Sequence, residues 1–328
     1  MTDTSESIKE TQIVPMAMGH KRFDQIAALL YSDYSRSRIQ QWIKDGQLTV
    51  NGQTAKPKDK LIGGEKLQLD AVVEANESWK AEPIELNVVY EDDQIIVINK
   101  PAGLVVHPGA GTPSGTALNG LLYRYPELAS VPRAGIVHRL DKDTTGLMVV
   151  ARTLLAQTSL SAQLQDRSMG REYYALCMGV MTGGGTVDEP IDRHPKVRTK
   201  MAVAPHGMGK DAITHYRVEQ RFRNHTLVRC KLETGRTHQI RVHLSHIGYP
   251  LVGDAQYAGR SRLPKGVSYE VTQQLKGFKR QALHAGYLEL IHPATDELAS
   301  WEADMPEDFL ALLDALDQEL QTYGSDDL

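Results

Sequence analysis

Between two apolar stretches, Ile136-Val137 and Leu147 to Val150, the chain runs through a charged loop that reads His138-Arg139-Leu140-Asp141-Lys142-Asp143-Thr144-Thr145-Gly146. Charged residues at a strand end are where enzymes place chemistry. An Asp, ionised at neutral pH from a reference pKa of about 3.9, serves there as a nucleophile or as a stabiliser of positive charge. Taken alone, a loop with two Asp and two basic residues is more often a capped turn. A second polar cluster, Glu233-Thr234-Gly235-Arg236-Thr237-His238-Gln239-Ile240-Arg241-Val242-His243, gathers cations and an amide, and a third, Arg171-Glu172-Tyr173-Tyr174-Ala175, carries paired tyrosines. Strand alternation sends Tyr173 and Tyr174 to opposite faces, one to a cleft and one to a core.

Other chemistries are weaker fits. His238, His243 and His246 fall at i, i+5 and i+8, whereas zinc ligands on a helix fall at i, i+4, and no HExxH accompanies them. A metal hydrolase is therefore disfavoured, and no metal site is expected. The run Gly183-Gly184-Gly185 lacks a following Lys-Ser/Thr, so it reads as a turn rather than a nucleotide cradle. Cys177 and Cys230 stand far apart in sequence and form no CxxC pair, which suits two buried thiols in a reducing cytoplasm.

The elements that position these residues follow from periodicity. Phe23, Ile26, Ala27 and Leu30 have helical spacing, and a second helix follows Ser35 with Ile39, Trp42 and Ile43 on one face and Gly46 as its stop. Leu48 and Val50 alternate into Asn51-Gly52, a type I′ turn signal, and the returning segment ends in Leu67-Gln68-Leu69. The expected organisation is a tail over 1–20, this helix-helix-hairpin module over 21–70, a linker over 71–83 ending in Pro83, a larger domain over 84–322 and a tail over 323–328. In the larger domain, strands are expected at 88–90, 95–98, 148–150, 173–178, 227–232 and 288–291, with helices near 155–167, 238–246 and 307–321. Strands and helices mix without regular βαβ alternation, which indicates an α+β fold.

The 328 residues, 41% of them hydrophobic, suffice for two domains with a sizeable core. Neither the polar start MTDTSESIKE nor any apolar run matches an export signal or a membrane span, so a cytoplasmic protein with no membrane partner is expected. The net charge of −4 conceals an asymmetry: residues 301–328 hold nine acidic side chains and no Lys or Arg, which leaves +5 for residues 1–300. Residues 21–60 carry eight basic side chains against four acidic ones, a cue for nucleic acid.

The first module, with Tyr34-Ser35-Arg36-Ser37-Arg38 opening its second helix, resembles the S4 RNA-binding domain. That resemblance implies that Arg36, Arg38 and Lys44 contact phosphates, giving salt-dependent affinity with little sequence readout. The charged loop resembles the HRLDxxTSG signature of the RluA-type pseudouridine synthases, with Thr145 where Ser is commoner. Asn99-Lys100-Pro101-Ala102-Gly103 with His107-Pro108-Gly109, the clusters at 171–175 and 233–243, Leu283-His284-Ala285 and His292-Pro293 match the same family in order. Arg171 replaces its more usual Lys, and Leu290 stands where an aromatic is common. VPRAGIVHRLDKDTTGLMVV and ETGRTHQIRVH narrow the resemblance to the branch whose targets lie in the 23S rRNA stem-loop, helix 69, that bridges the ribosomal subunits.

The family resemblance implies a mixed, mainly antiparallel central sheet after the S4 module, and isomerisation of uridine to pseudouridine. This reaction breaks the N1–C1′ bond, turns the uracil and rejoins it through C5, so neither a redox cofactor nor a nucleotide is needed. By resemblance, Asp141 is the catalytic nucleophile, Arg241 its ion-pair partner, and Tyr173 the aromatic that stacks on the flipped uracil and helps remove the C5 proton. An arginine within about 4 Å supplies roughly 4 kcal/mol of gross attraction at an effective dielectric of 20. His138, Arg139, Arg236, His238 and Gln239 are placed to hold phosphate or the loops, and the basic loop 193–200 flanks the RNA cleft. The expected partner is 23S rRNA or a large-subunit precursor, met by a monomer. The alternatives are an RNA-binding factor without catalysis and a synthase of the same family acting on other rRNA or tRNA sites.

Overall fold

Asn51 and Gly52 both adopt positive φ, 51° and 78°, as a type I′ turn requires. Val50 and Gln53 exchange backbone hydrogen bonds of 2.9 Å across it. The turn ends β2 (Leu48–Val50), which pairs antiparallel with β3 (Lys66–Val73) after an irregular stretch. Helices α1 (Phe23–Leu30) and α2 (Arg36–Lys44) pack Phe23, Ile26, Ile39, Trp42 and Ile43 against Leu48, Leu67 and Leu69. β3 has a second neighbour that the sequence reading assigned to a tail: β1 (Glu6–Ile13) pairs with it in unbroken antiparallel register from Glu6↔Val73 to Ile13↔Lys66. The strand order is β1-β3-β2. Charged β1 residues such as Lys9 and Glu10 hid the strand, because its pairing satisfies the backbone while burying few side chains.

The computed structural model describes residues 6–31, 36–73, 79–109, 111–197, 199–205, 207–259, 263–264 and 266–324. Tyr34 and Ser35 lie outside them, as do the side chains of Arg36 and Arg38. The chain divides into two units, Met1–Trp79 and Lys80–Leu328. β3 takes up residues 71–73 of the expected linker.

The second unit is built on a nine-stranded sheet. In chain order its elements are β4 (Val88–Glu91), β5 (Ile95–Lys100), α3 (Ala117–Arg124), β6 (Thr145–Ala151), α4 (Leu154–Gln165), β7 (Gly170–Met178), β8 (Gly185–Asp188), β9 (Ile191–Arg193), β10 (Met201–Val203), β11 (Ile213–Arg221), β12 (His225–Leu232), α5 (Gln239–His246), α6 (Tyr269–Gly277), β13 (Leu283–Ile291), β14 (Leu298–Glu302) and α7 (Glu307–Tyr323). The large sheet runs β4-β5-β6-β13-β7-β12-β11-β8, with β14 on β13, while β9 and β10 form a separate hairpin. Every pairing in the large sheet is antiparallel except β6 with β13. This is the α+β, mainly antiparallel architecture that the sequence indicates.

Two apolar clusters hold the sheet. Ile95, Val97, Leu147, Val149, Leu288 and Leu290 pack with Ala156 and Leu160 of α4. Thr153 caps that helix by accepting from the Ala156 amide at 3.1 Å. Leu176 and Leu227 pack with Val271, Phe309, Leu312 and Leu316 from α6 and α7. At the centre, Gly146, Ala285, Tyr173 and Cys230 form one row across β6, β13, β7 and β12. Gly146 sits at φ 112°, and a Cβ there would lie 2.2 Å from the Ala285 carbonyl oxygen. Only glycine permits this approach. Cys177 and Cys230 are free and buried.

Candidate active site

Asp141 opens a four-residue turn, closed by the Thr144 amide on the Asp141 carbonyl at 3.1 Å, that leads into β6. Its neighbours are fixed from beneath. Lys100, fully buried at the end of β5, donates its ammonium to the carbonyls of Pro101, Leu104 and Lys142 at 2.7, 3.0 and 2.8 Å. Those three bonds use all its protons, and burial pushes its pKa down to about 8. Gln281 donates to the Thr144 hydroxyl at 3.0 Å. Thr145 bonds Nδ1 of His284 at 2.9 Å, and His284 Nε2 donates to the Ala303 carbonyl. The His284 link uses only the hydroxyl of Thr145, which a Ser at this position would supply as well.

Asp141, Arg241 and Tyr173, which the family resemblance groups, line one cleft of about 330 Å³. Arg241, in the first turn of α5, donates Nη1 to Asp141 Oδ2 at 2.8 Å. Its Nε and Nη2 form a two-point contact with Asp254 at 2.7 and 3.0 Å, and Nη2 also reaches Gln256 Oε1 at 3.1 Å. Side-chain exposure falls from 16% at Asp141 to 7% at Arg241 and 1% at Asp254. The guanidinium is thus anchored from behind by a buried carboxylate and offers one N–H forward. Burial alone would lower the Arg241 pKa, yet Asp254 and Asp141 outweigh it and raise it. Asp141 keeps its second oxygen, Oδ1, off the guanidinium, with the imidazole Nε2 of His238 3.8 Å away.

Tyr173 lines the same cleft from β7, while Tyr174 packs with the α6–α7 cluster, as alternation requires. Burial raises the Tyr173 pKa, Asp141 adds to this, and Arg171 opposes it. Arg171 also lines the cleft, where the sequence reading kept it apart from the chemistry. It is buried, bonds the Glu233 carbonyl at 3.4 Å, and among the described residues its Nε has no hydrogen-bond partner. Gly235 makes room for it, since a Cβ there would stand 2.7 Å from Nη1.

The other expected contacts divide. Arg139 is exposed on the cleft wall, and Arg236 lines it while donating Nε to the Asp211 carbonyl at 2.9 Å. His138 also lines the cleft but turns its Nε2 inward, where it accepts the Val149 amide at 3.1 Å, and burial with Arg171 nearby pushes its pKa down to about 3. Gln239 is 3% exposed, and its amide is consumed internally by Thr234, the Arg236 amide, the Ile213 carbonyl and Thr214. Gln239 therefore spends its amide on holding the loops, while His138 braces β6 through Nε2 and also lines the cleft. His243 is occupied by Thr214 and the Glu189 carbonyl, so its ring faces away from His238. Among the described residues no group of three His, Cys, Asp or Glu is arranged to hold a metal, and no helix is long and apolar enough to cross a membrane. Lys44 is exposed in the last turn of α2, where a cation also suits the helix dipole.

Sequence reasoning missed Lys100 as the support of the loop, and Asp254, Gln256 and Tyr257 behind Arg241. The segment Gly253-Asp254-Ala255-Gln256-Tyr257 carries polar types, but only the fold brings it to α5.

A mixed, mainly antiparallel sheet brings Asp141, Arg241 and Tyr173 to one cleft, with Asp254 buried behind the arginine, in a unit separate from the small helix-helix-sheet fold. Residues 94–246 match the family described as RNA pseudouridylate synthase, and residues 21–67 match the S4 domain. The chain is 58% identical over 319 residues to the ribosomal large subunit pseudouridine synthase D of Pseudomonas aeruginosa, covering 97% of this chain and 99% of that one. It is 57% identical over 304 residues to the protein of the same name from Yersinia pestis, covering 92% and 93%. Among solved structures, human RNA pseudouridylate synthase domain containing 4 superposes with a TM-score of 0.55 at 28% identity, covering 70% of this chain and 93% of that one. The chain belongs to the RluA-type RNA pseudouridylate synthase family and is an enzyme of that class.

Proposed function

We propose that this enzyme isomerises uridine to pseudouridine in 23S rRNA, in the helix 69 stem-loop, acting as a monomer without a nucleotide cofactor and with Asp141 as its nucleophile. The names of its relatives support the large-subunit substrate. The observation that carries the role of Asp141 is the asymmetry of its carboxylate: Oδ2 is held by Arg241 at 2.8 Å while Oδ1 remains on the cleft. An oxygen so placed adds to C6 of the base or attacks C1′ of the sugar, and both routes require one free lone pair and one fixed oxygen. The N1–C1′ bond breaks, the uracil turns, C5–C1′ forms, the bond to Asp141 is released as its carboxylate leaves, and the proton on C5 departs to water while N1 takes one up, with no net redox change.

Tyr173 enters as a neutral phenol and provides a face for the flipped base, worth roughly 1–3 kcal/mol of stacking. Arg139, Arg171 and Arg236 give the wall a positive excess that suits phosphate. Among the described residues Arg171 has no carboxylate within ion-pair distance, so its charge is available to the substrate.

The test is tritium release from C5-labelled uridine in a helix 69 transcript. Asp141→Asn is expected to lower the rate by about 10³-fold or more, as loss of a nucleophile does. Release at the wild-type rate would overturn the assignment, and rapid release from unrelated stem-loops alone would redirect the substrate.

A further inference from the structure

The oxygen of Asp141 that Arg241 leaves free has a second polar neighbour, His238. His238 ends the loop before α5 in a left-handed conformation, φ 58°, which turns its ring toward the cleft. Its Nε2 lies 3.8 Å from Asp141 Oδ1 and its Nδ1 lies 2.7 Å from the Tyr257 hydroxyl. That hydroxyl also accepts the backbone amide of Met201 at 2.9 Å. The Tyr257 ring is itself fixed, with the Arg241 guanidinium 4.9 Å from its centroid and its own amide on Asp254 at 3.2 Å.

Counting protons decides the direction of these bonds. The Met201 amide is an obligate donor, so the phenol oxygen accepts there and retains one proton to give. If that proton goes to His238 Nδ1, the imidazole carries its own on Nε2, facing the carboxylate. In the opposite tautomer the phenol oxygen accepts from both the Met201 amide and Nδ1–H, its own proton finds no acceptor among the described residues, and a bare Nε2 lone pair faces Asp141. The second arrangement sets like charge density together in a partly desolvated cleft. Burial lowers the His238 pKa, Asp141 and Asp254 opposing and Arg241 and Arg139 assisting, so the ring is neutral and one tautomer must be chosen.

Building on Asp141 as the reacting group, we propose that Tyr257 is a positioning residue for catalysis: its hydroxyl, held by the Met201 amide, fixes His238 as the Nε2–H tautomer and so orients the free oxygen of Asp141. Met201 begins β10, and the hairpin it shares with β9 carries His194, Lys196 and Lys200 on its connecting loop. The seating of this basic hairpin is thereby tied to the geometry of the carboxylate.

Tyr257→Phe keeps the ring beside Arg241 and removes only the hydroxyl. Nitrogen-15 NMR of imidazole-labelled wild-type protein at neutral pH is expected to show His238 with a protonated Nε2 and an unprotonated Nδ1, and the Phe variant to lose that preference. Tritium release by the variant is expected to fall about tenfold in kcat with KM for the transcript unchanged, the signature of misplaced chemistry rather than lost binding. An Nδ1–H tautomer in the wild type, or a variant with unaltered tautomer and kcat, overturns the proposal. The wild-type spectrum needs no variant to fold. If instead Asp141→Asn proves active while the tautomer is as stated, the assignment of Asp141 fails and the Tyr257–His238 geometry stands.

Discussion

Arg241 touches two carboxylates unequally, and the inequality decides what each does. Asp254 binds it at two points in full burial and Asp141 at one, beside the cleft. Replacing Asp254 with Asn should therefore harm catalysis without touching the reacting groups. The guanidinium loses its charged anchor, turns toward Asp141 and occupies the oxygen that must stay free. A displacement of about 1 Å costs on the order of 10²-fold in rate, so tritium release is expected to fall to about a hundredth while transcript binding holds. Unchanged turnover would show that the anchor is dispensable. His138 allows a prediction about stability. Its pKa of about 3 in the fold lies below the unfolded value of 6.5, so between these limits the unfolded chain binds a proton that the folded chain refuses. Its contribution is complete above pH 6.5 and is lost as pH falls toward 3, with a slope of up to about 1.4 kcal/mol per pH unit. His138→Gln offers the Val149 amide an acceptor that does not titrate. Denaturant unfolding from pH 6.5 downward should show the wild type losing stability more steeply than this variant, and parallel curves would contradict the burial of that ring.

The meeting of Asp141, Tyr173 and Arg241 in one cleft was to be expected because each lies in a contiguous motif that resembles the family's, whereas the residue types of the Asp141 loop alone suit a capped turn. Their supports were not legible in the sequence. Lys100 reads as one more surface lysine until β5 and the loop before β6 converge on it, and Tyr257 acquires its role only through Met201, 56 residues away in sequence. The same limit operates on elements. β5, β6, β7 and β12 are apolar enough to announce themselves, whereas β11, ITHYRVEQR, is mostly polar because one face meets water. β1 was missed for the same reason. Topology was least visible of all: the parallel contact of β6 with β13 joins residues 139 positions apart and depends on a missing side chain at Gly146. Gly146→Val would drive a Cβ onto the Ala285 carbonyl and force a backbone conformation that β-branched residues avoid. The expected result is a loss of about 2–4 kcal/mol in unfolding free energy, with activity falling further than stability because β6 carries the Asp141 turn. A variant as stable as wild type by denaturant titration would mean that the two strands separate at little cost.

At the scale of the molecule, each unit carries its own apolar core, so the chemistry and the grip on RNA are separable in principle. The groups around Asp141 all belong to residues 80–328, and the basic excess of residues 21–60 belongs to the other unit. Deleting residues 1–79 should then leave a folded protein that still releases tritium at saturating transcript, with kcat within a fewfold of the full chain. Affinity should fall, and its dependence on salt should fall with it. If Arg36, Arg38 and Lys44 each neutralise one phosphate, the slope of log affinity against log salt becomes shallower by about 2–3, at roughly 0.7–0.9 per contact. The deletion must run to the end of the unit at Trp79: cutting only the apparent tail over 1–20 would remove β1, strip β3 of a neighbour and expose its edge, unfolding the module instead of removing it. Titrating the truncated and full-length proteins against the same transcript at several salt concentrations separates the outcomes. Equal slopes would remove the N-terminal unit from phosphate binding, and a kcat that collapses with the affinity would mean that this unit helps to build the active site.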